Sequence, residues 1–232
     1  MKLPETDLII LCGGLGTRLN LPDVPKPMVD INGKPFLDIL VEWAAAQGAK
    51  RFIFCTGHMA ETVSAYFAPR FGREYVFSVE KEPLGTGGAL KLCEKSRKSE
   101  TALVLNGDSY CAVDLQAVLD LHEERDAVAT VALTESVNRT DGGFVSLDSD
   151  DKIVTFAEKD PKGGTWINAG ILALGPKIFK ALPGGKFCSL EREILPKFLK
   201  GGLRGFTTEA PLYDIGTPER LERFRAQVLQ GL

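Results

Sequence analysis

Features that would mark several other classes of protein are missing from the sequence. The net charge is −3 and no block of Lys or Arg occurs, which argues against a nucleic-acid-binding surface, because phosphate backbones are bound by clustered cations. No apolar run approaches the roughly 18 residues that cross a membrane, and the acidic, proline-containing N-terminus is not typical of a signal peptide. We therefore expect a cytoplasmic protein with no nucleic-acid or membrane partner.

Cysteine pairs and the common nucleotide fingerprints are also missing. The five cysteines form no C-x-x-C pair, and several stand in apolar runs, which is typical of reduced thiols inside a cytosolic protein. Neither G-x-G-x-x-G nor the Walker motif G-x-x-x-x-G-K-[ST] occurs. A dinucleotide-dependent oxidoreductase would need the first of these, and an acid at the end of the second strand, where Cys55-Thr56-Gly57 stands instead. That class is disfavoured.

Short apolar runs alternate with amphipathic stretches through the first half of the chain. The runs predict strands over residues 8–11, 51–55, 75–80, 101–105 and 128–133, and helices over about 35–47, 59–67, 89–95 and 115–124. Such alternation is typical of a parallel sheet with crossover helices. The sequence therefore predicts an α/β, Rossmann-like fold with a mostly parallel sheet flanked by helices.

The pattern changes after residue 135. Three β-like runs at residues 144–147, 153–157 and 167–174 are separated by Asp, Lys and Gly clusters, and predict a small β-rich extension of the sheet. Helices are expected near residues 176–182, 189–199 and 218–229, the last with Thr217 as N-cap and Pro218 at its first position. We expect one domain over residues 1–232, with a nucleotide-binding half to about 135 and a second half from about 136.

A glycine-rich turn follows the first predicted strand. Gly13, Gly14 and Gly16 would expose backbone N–H groups, Arg18 comes directly after them, and Lys26 stands between two prolines that stiffen its segment. Backbone amides, a guanidinium and an ammonium together suit a nucleoside triphosphate, which carries about four negative charges. The turn therefore predicts a triphosphate cradle.

Two acids stand where ligands gather in α/β sheets. Asp108 follows the strongly apolar run 101–105, and Asp214 precedes the last helix. Each also has a plain structural interpretation, Asp108 as a turn residue and Asp214 as a helix-entry acid. Together they could hold Mg²⁺, which takes one or two protein carboxylates and completes its shell with phosphate and water oxygens.

Four motifs in order resemble the sugar-1-phosphate nucleotidylyltransferase family over nearly the whole chain. They are LCGGLGTRL (11–19) with PKP (25–27), EPLGTGG (82–88), NGD (106–108) and DIGTP (214–218). The resemblance implies a GT-A-type fold whose β-rich extension binds the acceptor. It also implies a reaction that converts a nucleoside triphosphate and a sugar 1-phosphate into an NDP-sugar and pyrophosphate, with Mg²⁺ as cofactor and surface polysaccharide synthesis as the setting.

The segments at 33–38, 80–89 and 189–191 are most similar to D-glycero-D-manno-heptose 1-phosphate guanylyltransferases. Mannose-1-phosphate guanylyltransferases and uridylyltransferases share parts of these segments and remain alternatives. A catalytically silent nucleotide-sensing subunit is a further alternative, although it would be expected to have lost Arg18, Lys26 or the two acids. The resemblance leaves a homodimer open.

The resemblance also assigns roles residue by residue. Arg18, Lys26, Asp108 and Asp214 would be catalytic, the two acids as metal ligands. Nucleotide-binding residues would be Leu11, Gly13, Gly14, Gly16, Thr17, Arg18, Glu80, Pro83, Gly85 and Thr86. The sugar-phosphate site would comprise Asn106, Gly143, Glu158, Lys159, Asn168 and Gly170, with Lys159 gripping the incoming phosphate.

Two further expectations concern single side chains. The Glu80 carboxylate could accept two N–H groups from a guanine edge, or it could be a solvated acid at a strand end while the backbone reads the base. His58 and His122 have no second His or Cys at ligand spacing and are expected at the surface or at a helix start.

Overall fold

Strands and helices alternate through most of the chain. The computed structural model describes residues 1–14, 16–19, 23–135, 143–157 and 166–229. Its elements are β1 (Asp7–Leu11), β2 (Asp30–Ile31), β3 (Lys34–Pro35), α1 (Phe36–Ala46), β4 (Arg51–Thr56), α2 (Ala60–Phe67), β5 (Glu74–Val79), α3 (Gly85–Cys93), β6 (Ala102–Asn106), β7 (Ser109–Tyr110), α4 (Leu115–Glu124), β8 (Ala129–Glu135), β9 (Phe144–Leu147), β10 (Ile153–Ala157), β11 (Trp166–Leu174), α5 (Pro176–Ala181), β12 (Leu203–Thr208), β13 (Tyr213–Asp214) and α6 (Pro218–Leu229).

Nine strands of the described ranges form one sheet, whose centre is parallel. β5, β4, β1 and β6 lie side by side in parallel, and β11 joins β6 in the antiparallel direction. On the edge that faces β6, the start of β11 also pairs with β9, which pairs in turn with β10. On its opposite edge β11 pairs with β8, which pairs with β12. The predicted α/β class is confirmed, and the predicted β-rich stretch continues this same sheet.

Strands β1, β4 and β6 are buried on both faces, which explains their apolar runs. Along β1, Leu8 and Ile10 point to one face and pack with residues of α1, α2 and α4. Ile9 points to the opposite face and packs with residues of α3 and α5. This alternation follows from the two-residue period of a strand. Helices on both faces leave the carboxyl ends of the parallel strands as the accessible edge.

A third, smaller apolar cluster fixes α6 beside that edge. Phe224 of α6 is fully buried, with its ring 5.1 Å from Phe36 of α1 and 5.8 Å from both Tyr110 of β7 and Tyr213 of β13. Loss of a buried phenyl ring of this kind typically costs about 3–5 kcal/mol. Packing of α6 therefore holds the short antiparallel pair β7–β13 in place.

The structure differs from the predicted helix over 89–95, because α3 begins four residues earlier. Its first turn contains three glycines, which have low helix propensity. The reason is close contact: a Cβ on Gly85 would lie 2.6 Å from the Cys188 carbonyl oxygen, and the Gly87 N–H donates to that same oxygen at 2.8 Å. The glycines therefore begin a closely packed helix, and the Cys188 carbonyl accepts hydrogen bonds from the N–H groups of Gly87 and Gly88.

Two other regions differ from the sequence predictions. The helix expected over 189–199 is a wide turn at Leu190–Ile194, in which Leu195 N–H donates to the Leu190 carbonyl, followed by a tight turn at Leu195–Phe198. Strand β12 was not predicted, because Gly205 interrupts its apolar pattern; a Cβ there would stand 2.6 Å from Leu147 Cδ2. No helix within the described ranges has the length and apolar character needed to cross a membrane.

The prediction for one of the two histidines is wrong. His58 is exposed as expected, but His122 lies in the last turn of α4 and is only 4 % exposed. Its Nδ1 is 3.1 Å from Thr130 Oγ1 on the neighbouring strand β8. A hydroxyl partner makes burial of a neutral imidazole tolerable, and burial lowers its pKa to about 4.

Candidate active site

A cavity of about 350 Å³ opens at the carboxyl ends of β1, β4, β5 and β6. Ligands bind at this edge in open α/β sheets. Its lining includes ten of the residues predicted to bind substrates or metal, namely Leu11, Gly13, Gly14, Lys26, Glu80, Pro83, Gly85, Thr86, Asn106 and Asp108. Residues widely separated in sequence therefore meet around one volume, which we call the donor cavity.

Two side chains, those of Glu80 and Lys26, lie close to the backbone of the glycine turn. A Cβ on Gly13 would lie 2.8 Å from Glu80 Oε1, and a Cβ on Gly16 would lie 2.8 Å from Lys26 Cβ. Gly16 also has φ of +62°, in the left-handed region that glycine adopts readily. Thr17 follows in a short tight turn, Thr17–Leu19. The turn is thus the place where Glu80 and Lys26 approach the end of β1.

Lys26 is joined to Asp108 across the floor of the donor cavity. Lys26 begins the tight turn Lys26–Met28, and its Nζ lies 2.5 Å from Asp108 Oδ2. The lysine side chain is 12 % exposed and the aspartate 38 % exposed. A charge-assisted contact between partly buried groups fixes both side chains where a phosphate group of a ligand could reach them.

The two predicted metal ligands, Asp108 and Asp214, are brought together by strand pairing. Asp214 lies opposite Ser109 in the β7–β13 pair, and the Ile215 N–H donates to the Asp108 carbonyl at 3.0 Å. The Ser109 hydroxyl donates to Asp108 Oδ1 at 3.0 Å. Ser109 was not predicted as a site residue, and the signal that could have found it is its position directly after Asp108.

Asp214 has its own partners on the other side of that pair. Its Oδ1 accepts the Gly216 N–H at 2.9 Å, and Arg220 Nη1 lies 3.3 Å from both carboxylate oxygens. Arg18 Nη2 and Arg220 Nη1 stand 3.8 and 3.9 Å from the position a Cβ on Gly216 would take. Lys26 and Asp108 therefore form an ion pair in the donor cavity, and Arg18 and Asp214 both lie beside Gly216.

A second cavity of about 290 Å³ adjoins Asp214. It is lined by Thr134, Glu135, Ile167, Glu209, Pro211, Leu212, Tyr213, Asp214, Arg220 and Arg223. Asp214 lies in the wall of this cavity, whereas Asp108 lies in the wall of the donor cavity.

Glu80 is the acid placed in the wall of the donor cavity just after β5. Its Oε2 accepts the Leu84 N–H at 3.1 Å, and burial raises the pKa of the carboxyl despite this hydrogen bond. Cys12 also lines the cavity, and burial, aided by the Glu80 charge, raises the pKa of its thiol. Cys12 therefore stays a neutral thiol near pH 7 and is not an activated nucleophile.

Thr86 and Phe187 connect the donor cavity with the segment after α5. The Thr86 hydroxyl donates to Glu191 Oε2 at 2.7 Å and accepts the Leu190 N–H at 2.8 Å. Phe187 lines the donor cavity, although its side chain is 66 % exposed. Sequence analysis missed Phe187, because a lone phenylalanine in a loop has no periodicity to indicate a role.

Four of the six residues predicted for the sugar phosphate form a connected group. The Asn168 N–H donates to the Gly143 carbonyl at 2.9 Å, and Asn168 Oδ1 accepts the Gly170 N–H at 2.8 Å. Gly170 has φ of +76°, and a Cβ on it would lie 3.0 Å from Asn106 Nδ2. Asn106 thus links this group to the donor cavity. Glu158 and Lys159 lie outside the residues that the structure describes.

The chemistry of Asp108 and Asp214 fits a hard divalent cation. In the described parts of the chain no group of three or more His, Cys, Asp or Glu is arranged to hold a metal by itself. Two carboxylates, one just before β7 and one in β13, are nevertheless a typical protein contribution to a Mg²⁺ site, which takes its remaining oxygens from phosphate and water. The residues present therefore suit a metal that enters with a phosphorylated ligand.

Comparison with known protein families agrees with this arrangement of residues. The family model described as nucleotidyl transferase matches residues 8–231. The chain belongs to the nucleotidyl transferase family. It is accordingly an enzyme that transfers a nucleotidyl group, and nucleotidyltransferases of this family generally use a divalent metal ion.

Several nucleotidyltransferases are similar to this chain over nearly all of its length. A D-glycero-alpha-D-manno-heptose 1-phosphate guanylyltransferase from Campylobacter jejuni is 39% identical, with 93% of this chain and 97% of that protein covered. A mannose-1-phosphate guanylyltransferase from Mycobacterium tuberculosis is 32% identical, covering 100% of this chain and 67% of that protein. The crystal structure of HddC from Yersinia pseudotuberculosis complexed with GMP-PN has a TM-score of 0.85 at 36% identity, covering 96% of this chain and 99% of HddC.

Proposed function

We propose that this nucleotidyltransferase transfers GMP from GTP to D-glycero-D-manno-heptose 1-phosphate, giving the GDP-sugar and pyrophosphate. The observation that carries the proposal is the layout of the donor cavity, where Glu80 stands in one part of the wall and the Lys26–Asp108 pair in another. A hydrogen-bond acceptor for a base and a cation for a phosphate thus occupy one volume. The heptose-specific guanylyltransferase at 39% identity supports the choice of both substrates.

The donor nucleotide would lie along the glycine turn. An ionised Glu80 can accept two N–H groups from the guanine edge, a pairing that uracil and thymine do not offer. Lys26 would contact the α-phosphate, and Arg18, beside Gly216, the pyrophosphate part. The acceptor would lie against Asn106, Gly143, Asn168 and Gly170, with Glu158 and Lys159 completing its site.

The chemical step needs positioning and charge stabilisation more than proton transfer. An oxygen of the sugar 1-phosphate attacks the α-phosphorus, the bond from that phosphorus to the bridging oxygen of pyrophosphate breaks, and both electrons leave with pyrophosphate. The attacking phosphate is already ionised near pH 7, so no general base is required. Lys26 and Arg18 stabilise the negative charge on the α-phosphate and the leaving group. Mg²⁺, held by Asp108 and Asp214, would supply further neutralisation of the phosphate oxygens.

The two substrates are assigned to different halves of the chain. We assign nucleotide binding to residues 1–135 and sugar-phosphate binding to residues 136–232 of a single nucleotidyltransferase domain. Five free cysteines, each of them buried, favour the cytoplasm as the compartment, because thiols persist under reducing conditions.

Pyrophosphate release tests the proposal. The protein would be mixed with Mg²⁺, each of GTP, UTP, CTP and dTTP, and a panel of sugar 1-phosphates. The expected result is the highest kcat/KM for GTP with the heptose 1-phosphate. A higher value with mannose 1-phosphate would favour the activity of the Mycobacterium relative, and a higher value with UTP would favour a uridylyltransferase. Tight nucleotide binding with no release for any pair would indicate a nucleotide-sensing subunit and overturn the enzymatic proposal.

A further inference from the structure

The first turn of α6 carries an arginine where the helix itself favours an acid. Arg220 is the third residue of the helix that starts at Pro218, and its N–H points to the Thr217 hydroxyl at 3.4 Å. The N-terminus of a helix has positive character, and a capping threonine is commonly followed at this position by Glu or Gln. Arg220 is therefore unfavourable for the helix alone, and its placement calls for a compensating partner.

That partner is Asp214. Arg220 Nη1 lies 3.3 Å from both of its carboxylate oxygens, and the Asp214 side chain is only 11 % exposed. Arg18 approaches the same place, since its guanidinium and that of Arg220 both stand within 4 Å of the position of a Gly216 Cβ. Arg220 thus pairs with a carboxylate that we assign to the metal, and Arg18 lies on the same side of Gly216.

The other metal ligand has a matching arrangement. Asp108 is paired with Lys26 at 2.5 Å. Each of the two carboxylates therefore already has a cationic partner from the chain itself. A divalent cation arriving alone would meet neutralised carboxylates and nearby positive charges, which weakens its binding.

We propose that Arg220 couples metal binding to triphosphate binding. Before substrates bind, it holds Asp214 in place and competes with the divalent cation. When a nucleoside triphosphate arrives with the metal, Arg220 exchanges the carboxylate for oxygens of the β- and γ-phosphates, a partner that a guanidinium binds at least as well. The inference rests on the proposed function, because it takes Asp214 as a metal ligand.

Mn²⁺ is the probe for the test, since free Mn²⁺ can be counted by electron paramagnetic resonance. Wild type, Arg220→Gln, Arg220→Lys and Arg225→Gln would be titrated with Mn²⁺, with and without a GTP analogue whose α–β bridge cannot be cleaved. Removing the competing cation in Arg220→Gln should tighten Mn²⁺ binding without nucleotide about fivefold. The same variant should lose about tenfold of the enhancement that the analogue gives in wild type.

The two other variants are controls on the same helix. Arg220→Lys keeps a cation and should retain most of the coupling. Arg225→Gln removes the same charge from α6 at a residue that lines neither of the two cavities and should behave as wild type, which separates the partner of Asp214 from the general charge of α6. If Arg220→Gln weakens Mn²⁺ binding without nucleotide, or changes neither titration, the inference is overturned.

Two further variants distinguish failure of the inference from failure of the proposed function. Asp108→Asn and Asp214→Asn should each weaken Mn²⁺ binding in the presence of the analogue. If neither does, the metal assignment in the proposed function is wrong and the inference falls with it. If both do and Arg220→Gln shows no coupling defect, the proposed function stands and only the role of Arg220 is rejected.

Discussion

Lys26 and Asp108 form an ion pair of 2.5 Å although 82 positions separate them in the chain. The pair joins the loop after the glycine turn to the residue just beyond the central strand β6. Gly16 contributes to this geometry, because only a residue without a side chain leaves room for Lys26 Cβ at its observed position. The ammonium group is thus already in place at the donor cavity before any nucleotide binds.

Lys26→Met tests the importance of that charge for the reaction. The variant keeps most of the side-chain volume but removes the cation that we assign to the α-phosphate, and loss of one such electrostatic contact typically lowers kcat by about 10²–10³-fold. Pyrophosphate release with GTP and the preferred sugar 1-phosphate measures the effect. Lys34→Met is the matched control, since Lys34 pairs with Glu42 at the exposed surface at 2.6 Å. A Lys26 variant within tenfold of wild type would remove the residue from the catalytic set.

The raised pKa of the Glu80 carboxyl predicts that recognition of the base depends on pH. Burial raises the pKa of this carboxyl, so in the protein it takes up a proton at a higher pH than an ordinary glutamate. A protonated carboxyl offers guanine a poorer acceptor, and the affinity for GTP should therefore fall as the pH is lowered towards that raised pKa. At neutral and higher pH the ionised form prevails and the affinity should level off.

Glu80→Gln identifies the source of that dependence. The amide has no titration in this range, so GTP affinity should be weaker near pH 7 by about tenfold and nearly constant towards lower pH. Kd would be measured by calorimetry at pH values between 5 and 8, and the preference among the four triphosphates compared at pH 7.5. An unchanged GTP preference in the variant would show that backbone groups read the base and that Glu80 does not.

The centre of the fold could be predicted from sequence because its signal is local. Strands β1, β4 and β6 are short, strongly apolar runs, and α1 and α4 have clear helical periodicity, so their positions follow from burial. Strand β12 and the start of α3 could not be predicted in this way. In both, glycine weakens the local pattern, and what stabilises the element is contact with a distant segment, Leu147 for Gly205 and Cys188 for Gly85.

The residues of the candidate site likewise fall into those with a local sequence signal and those that depend on tertiary packing. Residue types with an obvious chemistry, such as Lys26 and Asp108, could be named from the motifs, and the structure brings them together. The partner of Asp214 could not be named, because a pairing between β7 and β13 and the placement of Arg220 on α6 depend on tertiary packing. Burial of His122 was missed for the same reason, since its partner Thr130 lies on another element.

Phe187 should act as a platform for the base of the nucleotide. Its ring is 66 % exposed at the donor cavity, and exposure of so much apolar surface is unfavourable unless a ligand covers it. Stacking of a base on an aromatic ring contributes about 1–3 kcal/mol. Phe187→Ala should therefore weaken binding of the GTP analogue by about tenfold or more, and Phe187→Trp should preserve it.

The matched control for that experiment is Phe71→Ala. Phe71 is 95 % exposed and is not among the residues that line the donor cavity in the described part of the chain. Calorimetric titration of both variants should show weakened binding only for Phe187→Ala. Equal affinity in wild type and Phe187→Ala would mean that the ring makes no contact with the base.

His122 predicts a loss of stability in mild acid. Its pKa is lowered from 6.5 to about 4 by burial, so between these values the unfolded chain takes up a proton that the folded chain does not. Unfolding is then favoured as the pH falls through this window, and from pH 7.5 to 5.5 the residue should account for about 1 kcal/mol of lost stability. Urea unfolding at the two pH values measures the difference.

His122→Gln and His58→Gln separate this effect from other titrating groups. Glutamine can still bond to the Thr130 hydroxyl but takes up no proton, so the difference in the free energy of unfolding between pH 7.5 and 5.5 should shrink by about 1 kcal/mol in His122→Gln. The two histidines are the only ones in the sequence, and His58 is exposed, so His58→Gln should keep the wild-type difference. A difference between pH 7.5 and 5.5 that survives in full in His122→Gln would show that His122 is not its source. Asp7 does not contribute in this window, because hydrogen bonds from Ser99, Lys98 and Arg51 outweigh its burial and lower its pKa, so it is ionised at both pH values.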